Sequence, residues 1–323
     1  MAQRARRWRS GAAATAALGL TLTACSGAKV GEDNSGAGGG PGECGTFNLA
    51  VSPWVGYEAN AAVIAHVAEK ELGCKVVQKD LKAEIGWQGF ESGEVDAIVE
   101  NWGHDDLKKK YITGQKTAVN LGPTGNKGII GWYIPPWIAK QYPDITDWRN
   151  LDKYAAKFKT SESGSKGQLL DGDPSYQTND EALVKNLKLD FKVVYAGSET
   201  ALLQAFRDAE KNKKWVIGYF YEPQWLFSEV PLVHIDLPKH TAGCDTDPAK
   251  VACDYPVFDL DKIVSTRFAK SGSPAYDLVK NFTWTNDDQN TVAKYIALDK
   301  MTPEAAAKKW VEAHPDKVKA WLG

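Results

Sequence analysis

Aromatic and acidic side chains recur together along this chain in four short segments. They are Ser52-Pro53-Trp54-Val55-Gly56-Tyr57-Glu58, Val99-Glu100-Asn101-Trp102-Gly103-His104-Asp105, Asp173-Pro174-Ser175-Tyr176-Gln177-Thr178-Asn179-Asp180 and Gly218-Tyr219-Phe220-Tyr221-Glu222-Pro223-Gln224-Trp225. The chemistry they offer is recognition rather than reaction. Aromatic faces are electron-rich, and several converging rings attract a cation that has no N–H to donate, at roughly 0.5–2 kcal/mol per favourable ring contact. A quaternary ammonium group fits that description. The same aromatics could instead fill a core or line a sugar cleft. No GxxxxGK[ST], HExxH or GxSxG motif is present, and Gly40-Pro41-Gly42-Glu43-Cys44-Gly45 matches GxGxxG without a preceding strand. A hydrolase using Glu and Asp pairs as acid and base is the competing enzyme reading; the absence of any catalytic motif argues against an enzyme.

The segments that must position these residues alternate between strand and helix. Phe47–Val51, Lys75–Val77, Ala97–Val99, Ile129–Ile134, Val193–Tyr195, Val216–Tyr221 and Leu232–Leu237 read as strands. Asn60–Leu72, the stretch near Trp87–Ser92, Glu181–Asn186, Ala201–Lys211, Ala275–Asn281, Asp287–Leu298 and Pro303–Ala313 read as helices. Such alternation predicts α/β units with parallel strands, in which ligands bind at the carboxyl ends of the strands. One of the four aromatic segments, Ser52–Glu58, follows a predicted strand, and two, those beginning at Val99 and Gly218, begin within one.

The chain has 323 residues, 43% hydrophobic and 25% charged, with a formal charge of −2. That balance excludes a disordered or fibrous chain and gives no reason to expect a nucleic-acid partner. A basic start (Arg4, Arg6, Arg7, Arg9) leads into an apolar stretch, Gly11 to Thr23, too short to span a bilayer, and then Leu22-Thr23-Ala24-Cys25. The ending resembles a bacterial lipobox. Residues 1–24 are expected to be a lipoprotein signal, Cys25 the lipidated residue and 25–43 a flexible Gly/Ser-rich tether, holding a folded body at the outer face of the cell membrane. Removing the signal takes four Arg and no acid, which moves the formal charge from −2 to −6.

Four cysteines then remain, and an even number in an exported protein reads as two disulfides. Three pairings are possible. Cys44–Cys74 and Cys244–Cys253 are favoured because they close local loops; no CxxC spacing or His pair supports a metal site.

The run from Trp54 through Asn101-Trp102 to Tyr221-Glu222-Pro223, with Gly122-Pro123-Thr124-Gly125-Asn126 between and Pro303 to Trp321 at the end, resembles the substrate-binding proteins of glycine betaine, choline and proline-betaine ABC importers. The resemblance covers most of Gly45 to Gly323. It implies a type II periplasmic-binding-protein-like α/β fold, two lobes joined by a hinge with the ligand in the cleft. Lobe one would be residues 45–130 plus 237–323 and lobe two 131–236. It further implies a monomer that binds a small quaternary ammonium ligand and delivers it to an ABC permease, with no cofactor. A receptor of the same fold for an amino acid or polyamine is the alternative.

Carried over by position, Trp54 matches the cage aromatic after the first strand. Trp102 matches the Trp of an Asn-Trp pair, and Tyr221 the aromatic before Glu-Pro. Tyr176 occupies a loop where some members place another cage Trp. Trp132 and Tyr133 compete for an aromatic from the first strand of lobe two, and Trp225 either supports the cage or packs the core. For the polar end of the ligand, His104 or backbone N–H groups of 173–179 would serve a carboxylate, and Glu58, Asn179 or Asp180 a hydroxyl. Glu100, Asp105 and Glu222 add acid near the cage, a density that favours a net-cationic ligand because an unneutralised buried carboxylate is costly.

Overall fold

The computed structural model describes residues 43–176 and 178–323. The expected signal, Cys25 and nearly all of the expected tether lie outside those residues, as does Gln177.

β1 (Thr46–Val51) is followed by α1 (Val55–Glu71), and β2 (Lys75–Asp80) returns parallel to β1 with Thr46 opposite Lys75. That register sets Cys44 and Cys74 side by side just before their strands. They form a disulfide with Cα atoms 4.8 Å apart. α1 is buried at every position from Val55 to Ala68 except Glu58, and five alanines among them keep its girth small enough for neighbours on all sides. α2 (Ala83–Ser92) leads to β3 (Ala97–Asn101), which lies parallel to β1 on its other edge. The single turn α3 (Asp105–Leu107) continues as a π-helical stretch, Lys108–Gly114.

β4 (Ala118–Ile134) is the longest strand and belongs to two sheets. After α4 (Pro136–Gln141) come β5 (Gly167–Asp171), α5 (Asp180–Asn186), β6 (Phe191–Tyr195), α6 (Glu199–Asn212), β7 (Gly218–Glu222) and the short β8 (Val233–His234). β9 (Phe258–Ser265) then returns between β3 and β4, antiparallel to both. Through Gly128, β4 pairs with β9; from Ile129 it pairs with β7. The first sheet therefore runs β2-β1-β3-β9-β4 and the second β4-β7-β5-β6, with β8 on β4. α7 (Thr266–Ala269), α8 (Pro274–Asn281), α9 (Asn286–Ala297), α10 (Pro303–Ala313) and α11 (Pro315–Leu322) close the chain. α9 opens with a reciprocal capping box between Thr285 and Asp288, and α10 with Thr302 and Pro303, the arrangement that satisfies orphan N–H groups at a helix start.

The apolar side chains form two clusters. One carries β1, α1, α9 and α10, and also Leu202, Phe206, Tyr219, Tyr221 and Trp225 from the far side, so the two lobes meet across their cleft. The other gathers Trp132, Ile134, Leu169 and Phe191. Leu237, Val251, Cys253 and Tyr255 join this second cluster, although the sequence boundaries assign them to the first lobe. The reason is local: the chain there has no strand of its own, and its Cys244–Cys253 disulfide loop covers the second sheet before β9 begins. Among the described residues no helix is long and apolar enough to cross a membrane.

Candidate ligand site

Five aromatic rings meet where the two lobes touch. Trp54 lies in extended backbone at the cap of α1, immediately past β1. Trp102 follows β3, Tyr176 follows β5, and Tyr219 and Tyr221 lie on one face of β7, two residues apart as strand geometry requires. Their contacts form a chain. Trp54 meets Tyr176 edge-on at 5.9 Å, Tyr176 meets Tyr219 at 6.0 Å, Tyr219 meets Tyr221 at 5.9 Å, and Tyr221 meets Trp102 edge-on at 5.8 Å.

A carboxylate closes the circuit. Glu100 Oε1 accepts from Trp54 Nε1 at 2.9 Å and from Trp102 Nε1 at 2.7 Å. Its other oxygen accepts from the amides of Asn60 and of Gln289, the latter at 2.9 Å. Two glycines make room for the rings. A Cβ on Gly128 would lie 2.6 Å from Trp102, and one on Gly172 would lie 2.6 Å from Tyr176, so neither ring could rest where it does over a larger residue.

Four buried carboxyls stand around the rings. Glu100, 2% exposed, has its pKa pushed up to about 7 by burial, against the pull of its four donors. Glu199, at the start of α6, accepts from the Val55 backbone N–H at 2.8 Å across the cleft, from the Tyr221 hydroxyl, and from Gln224 at 2.6 Å; burial raises it too. Behind Tyr219, Asp180 accepts from Trp132 Nε1 at 2.8 Å and Tyr255 at 2.7 Å, and burial followed by the charge of Asp171 pushes it up to about 8. Asp171 accepts from Thr178 at 2.8 Å. Among the described residues no Lys or Arg bonds to any of the four.

The residues singled out by sequence are distributed unevenly about this circuit. Trp54, Trp102, Tyr176 and Tyr221 are brought together in it. Trp132 is buried and holds Asp180 behind it. Tyr133 faces the other side of the second sheet, against Phe220, Phe227 and His234. Glu58 and Trp225 line a neighbouring interlobe cavity of about 450 Å³ together with Trp54, Glu199 and Arg207. His104 lines a smaller cavity on the outer side of the two indoles. Asn179 gives its backbone N–H to Tyr255 at 2.6 Å, and Glu222 sits half-buried at the end of β7, raised by burial. Tyr219 and Glu199 were not singled out. Tyr219 shares a strand face with Tyr221, a signal readable from the period of two; Glu199 reads as an ordinary acid in a helix's first turn.

A family model described as the substrate binding domain of the ABC-type glycine betaine transport system matches residues 45–313. The chain belongs to that family. It is the extracytoplasmic substrate-binding component of an ABC importer and not an enzyme. The trimethylamine N-oxide-binding protein of Pelagibacter ubique is 27% identical over 265 residues, 77% of this chain and 83% of that one. Two solved structures share the fold of this substrate-binding protein. Lactococcal OpuAC in its closed form with glycine betaine has a TM-score of 0.67 at 23% identity, covering 86% of this chain and 99% of that one. An ABC-transporter choline-binding protein with choline has a TM-score of 0.70 at 18% identity, covering 88% and 93%. These are two-lobed binding proteins of type II.

Proposed function

We propose that this substrate-binding protein captures a quaternary ammonium solute such as glycine betaine or choline between Trp54, Trp102, Tyr176, Tyr219 and Tyr221, and releases it to a membrane permease. The observation that carries the reading is the unbroken circuit of five rings drawn from both lobes. The electron-rich ring faces attract a cation that cannot hydrogen-bond, and closure excludes water, which strengthens cation–π attraction. An amino acid or polyamine would need an acceptor for each N–H, and the two indoles supply none.

In this reading the lobes are residues 45–128 with 258–323, and 129–257, hinged where β4 changes sheets and where the chain enters β9. Closure by hinge bending presents both lobes to the permease at once. Cys25 carries the lipid that keeps the monomeric protein at the membrane surface.

Calorimetric titration of the purified protein with choline, glycine betaine, proline betaine, trimethylamine N-oxide and a panel of amino acids tests the reading. Saturable binding of one or more of the methylated ammonium compounds is expected. Binding confined to amino acids, or no binding at all, overturns it.

A further inference from the structure

We propose that Glu100 is the counter-charge of the cage, so that the site selects its ligand by positive charge and not by the shape of three methyl groups alone. The proposal rests on the cage reading above and names what that reading leaves open: which group balances the charge of the bound cation.

The geometry is specific. One oxygen receives both cage indoles, and the other receives two amides, one from α1 and one from α9. As the two amides are oriented, all four partners are donors, an arrangement that suits a carboxylate. An indole whose N–H is bonded to an anion carries more electron density on its face, which deepens the well for a cation lying against it. Among the described residues no Lys or Arg neutralises Glu100. A buried carboxylate without a cation is costly, and a bound ammonium is the cation this one lacks.

A merely structural role would also explain the four bonds, and one substitution separates the two. Glu100→Gln keeps the size and the oxygen that both indoles need. Its new NH2 can be received by Asn60 Oδ1 and Gln289 Oε1, which have no hydrogen-bond partner among the described residues, if both amides turn over. Turning Asn60 gives up its 3.3 Å bond to the Gly56 carbonyl.

The experiment measures the affinity of the unmodified protein and of E100Q for choline and for its neutral carbon isostere, 3,3-dimethylbutan-1-ol. Counter-charge predicts that the preference for choline over the isostere falls at least tenfold in E100Q, about 1.4 kcal/mol of discrimination. An unchanged preference, with both affinities falling together, overturns the proposal and leaves Glu100 a positioning residue. Failure of every ammonium probe to bind the unmodified protein overturns the cage reading and this proposal with it.

Should E100Q melt too early to assay, the same ratio in the unmodified protein from pH 8.5 to 5.5 carries the test. Glu100, raised to about 7, takes up a proton across that window. The titratable and charged groups about it are Tyr57 on α1, which stays neutral throughout, His104 and Lys82 in the cavity that Glu100 shares with both indoles, and Glu199 beside Tyr221; a second protein, the H104Q/E199Q double variant, removes the contributions of His104 and Glu199. The preference should weaken as pH falls in both proteins; a flat ratio overturns the proposal.

Discussion

The two walls of the cage are built on different principles. The first-lobe wall is two indoles held by one carboxylate, and every bond that fixes them comes from the first lobe itself: β3, α1 and α9. The second-lobe wall is three tyrosines whose support is divided. Tyr221 donates to Glu199, and Glu199 completes its set only by accepting the Val55 N–H from the opposite lobe. Tyr219 leans on an acid pair, Asp171 and Asp180, and the Tyr176 hydroxyl finds no partner among the described residues. The bonds that fix the first wall lie within one lobe, whereas the set that supports the second includes a bond across the cleft. Preorganisation on one side lowers the ordering cost of binding, and the cross-cleft bond on the other couples ligand capture to the hinge.

Damage to the preorganised wall should cost most. Trp102→Ala removes a ring and also strips a donor from Glu100. A loss of roughly 2–3 kcal/mol in ligand binding is expected, about a hundredfold in Kd, with the melting temperature of the unliganded protein lowered as well. A loss below fivefold by calorimetry would show that the first wall is scaffolding.

Glu199→Gln probes the other wall. The substitution leaves an oxygen for the Val55 N–H but withdraws the charge from that bond and from the Tyr221 hydroxyl. Roughly 1.4 kcal/mol, or tenfold weaker binding, is expected. Small-angle scattering of the unliganded protein should show a larger radius of gyration as the open form gains population. Weaker binding with no change of shape would place Glu199 in the cage wall alone and remove it from closure.

How much of this the sequence discloses depends on the range of each interaction. The alternation of strand and helix, the disulfide pairing and four of the five rings are local signals, because aromatics beside turn residues at strand ends announce themselves within seven or eight residues. β9 is not legible, since Asp259, Asp261 and Lys262 break its apolar run. The structure satisfies all three groups from afar, Asp259 by Lys127, Asp261 by Lys108 at 2.5 Å and the buried Lys262 ammonium by the carbonyls of Lys280 and Phe282. The first half of β4 is hidden likewise: Gly122 and Gly125 take positive φ and the register slips twice around Pro123, so a bulged strand reads as a loop. Glu100 is visible as an acid near the cage, but its function as a common acceptor is not, because Asn60 precedes it by 40 positions and Gln289 follows it by 189.

The acid pair behind Tyr219 gives the comparison a pH axis. Asp180 is raised to about 8, chiefly by burial, so in the folded protein it keeps a proton that the unfolded chain surrenders near its ordinary value of 3.8. Between those limits the folded state binds more protons, and stability therefore falls as pH rises through the window. Glu100 contributes with the same sign up to about 7. The melting temperature should drop by a few degrees from pH 5 to pH 8, and Asp180→Asn should flatten most of the fall between pH 7 and 8. A slope unchanged in D180N would assign the titration elsewhere and make the second wall as insensitive to pH as a hydrocarbon core.

The smallest effect is the most discriminating about the ligand. The Tyr176 hydroxyl is buried and unpartnered among the described residues, and burial pushes its pKa up, so it stays a neutral O–H. A buried hydroxyl left unbonded costs of order 1–3 kcal/mol, which Tyr176→Phe would recover in the unliganded protein as a slightly higher melting temperature. The ring, and with it the contacts to Trp54 and Tyr219, is retained. Tetramethylammonium, which offers only its methyl groups, should bind Y176F as well as it binds the unmodified protein. Choline and glycine betaine carry an oxygen that this hydroxyl can meet, and their affinity should fall about threefold to fivefold, less than 1 kcal/mol. Equal losses for all three would mean that the hydroxyl acts on the ring's position and does not meet the polar end of the ligand.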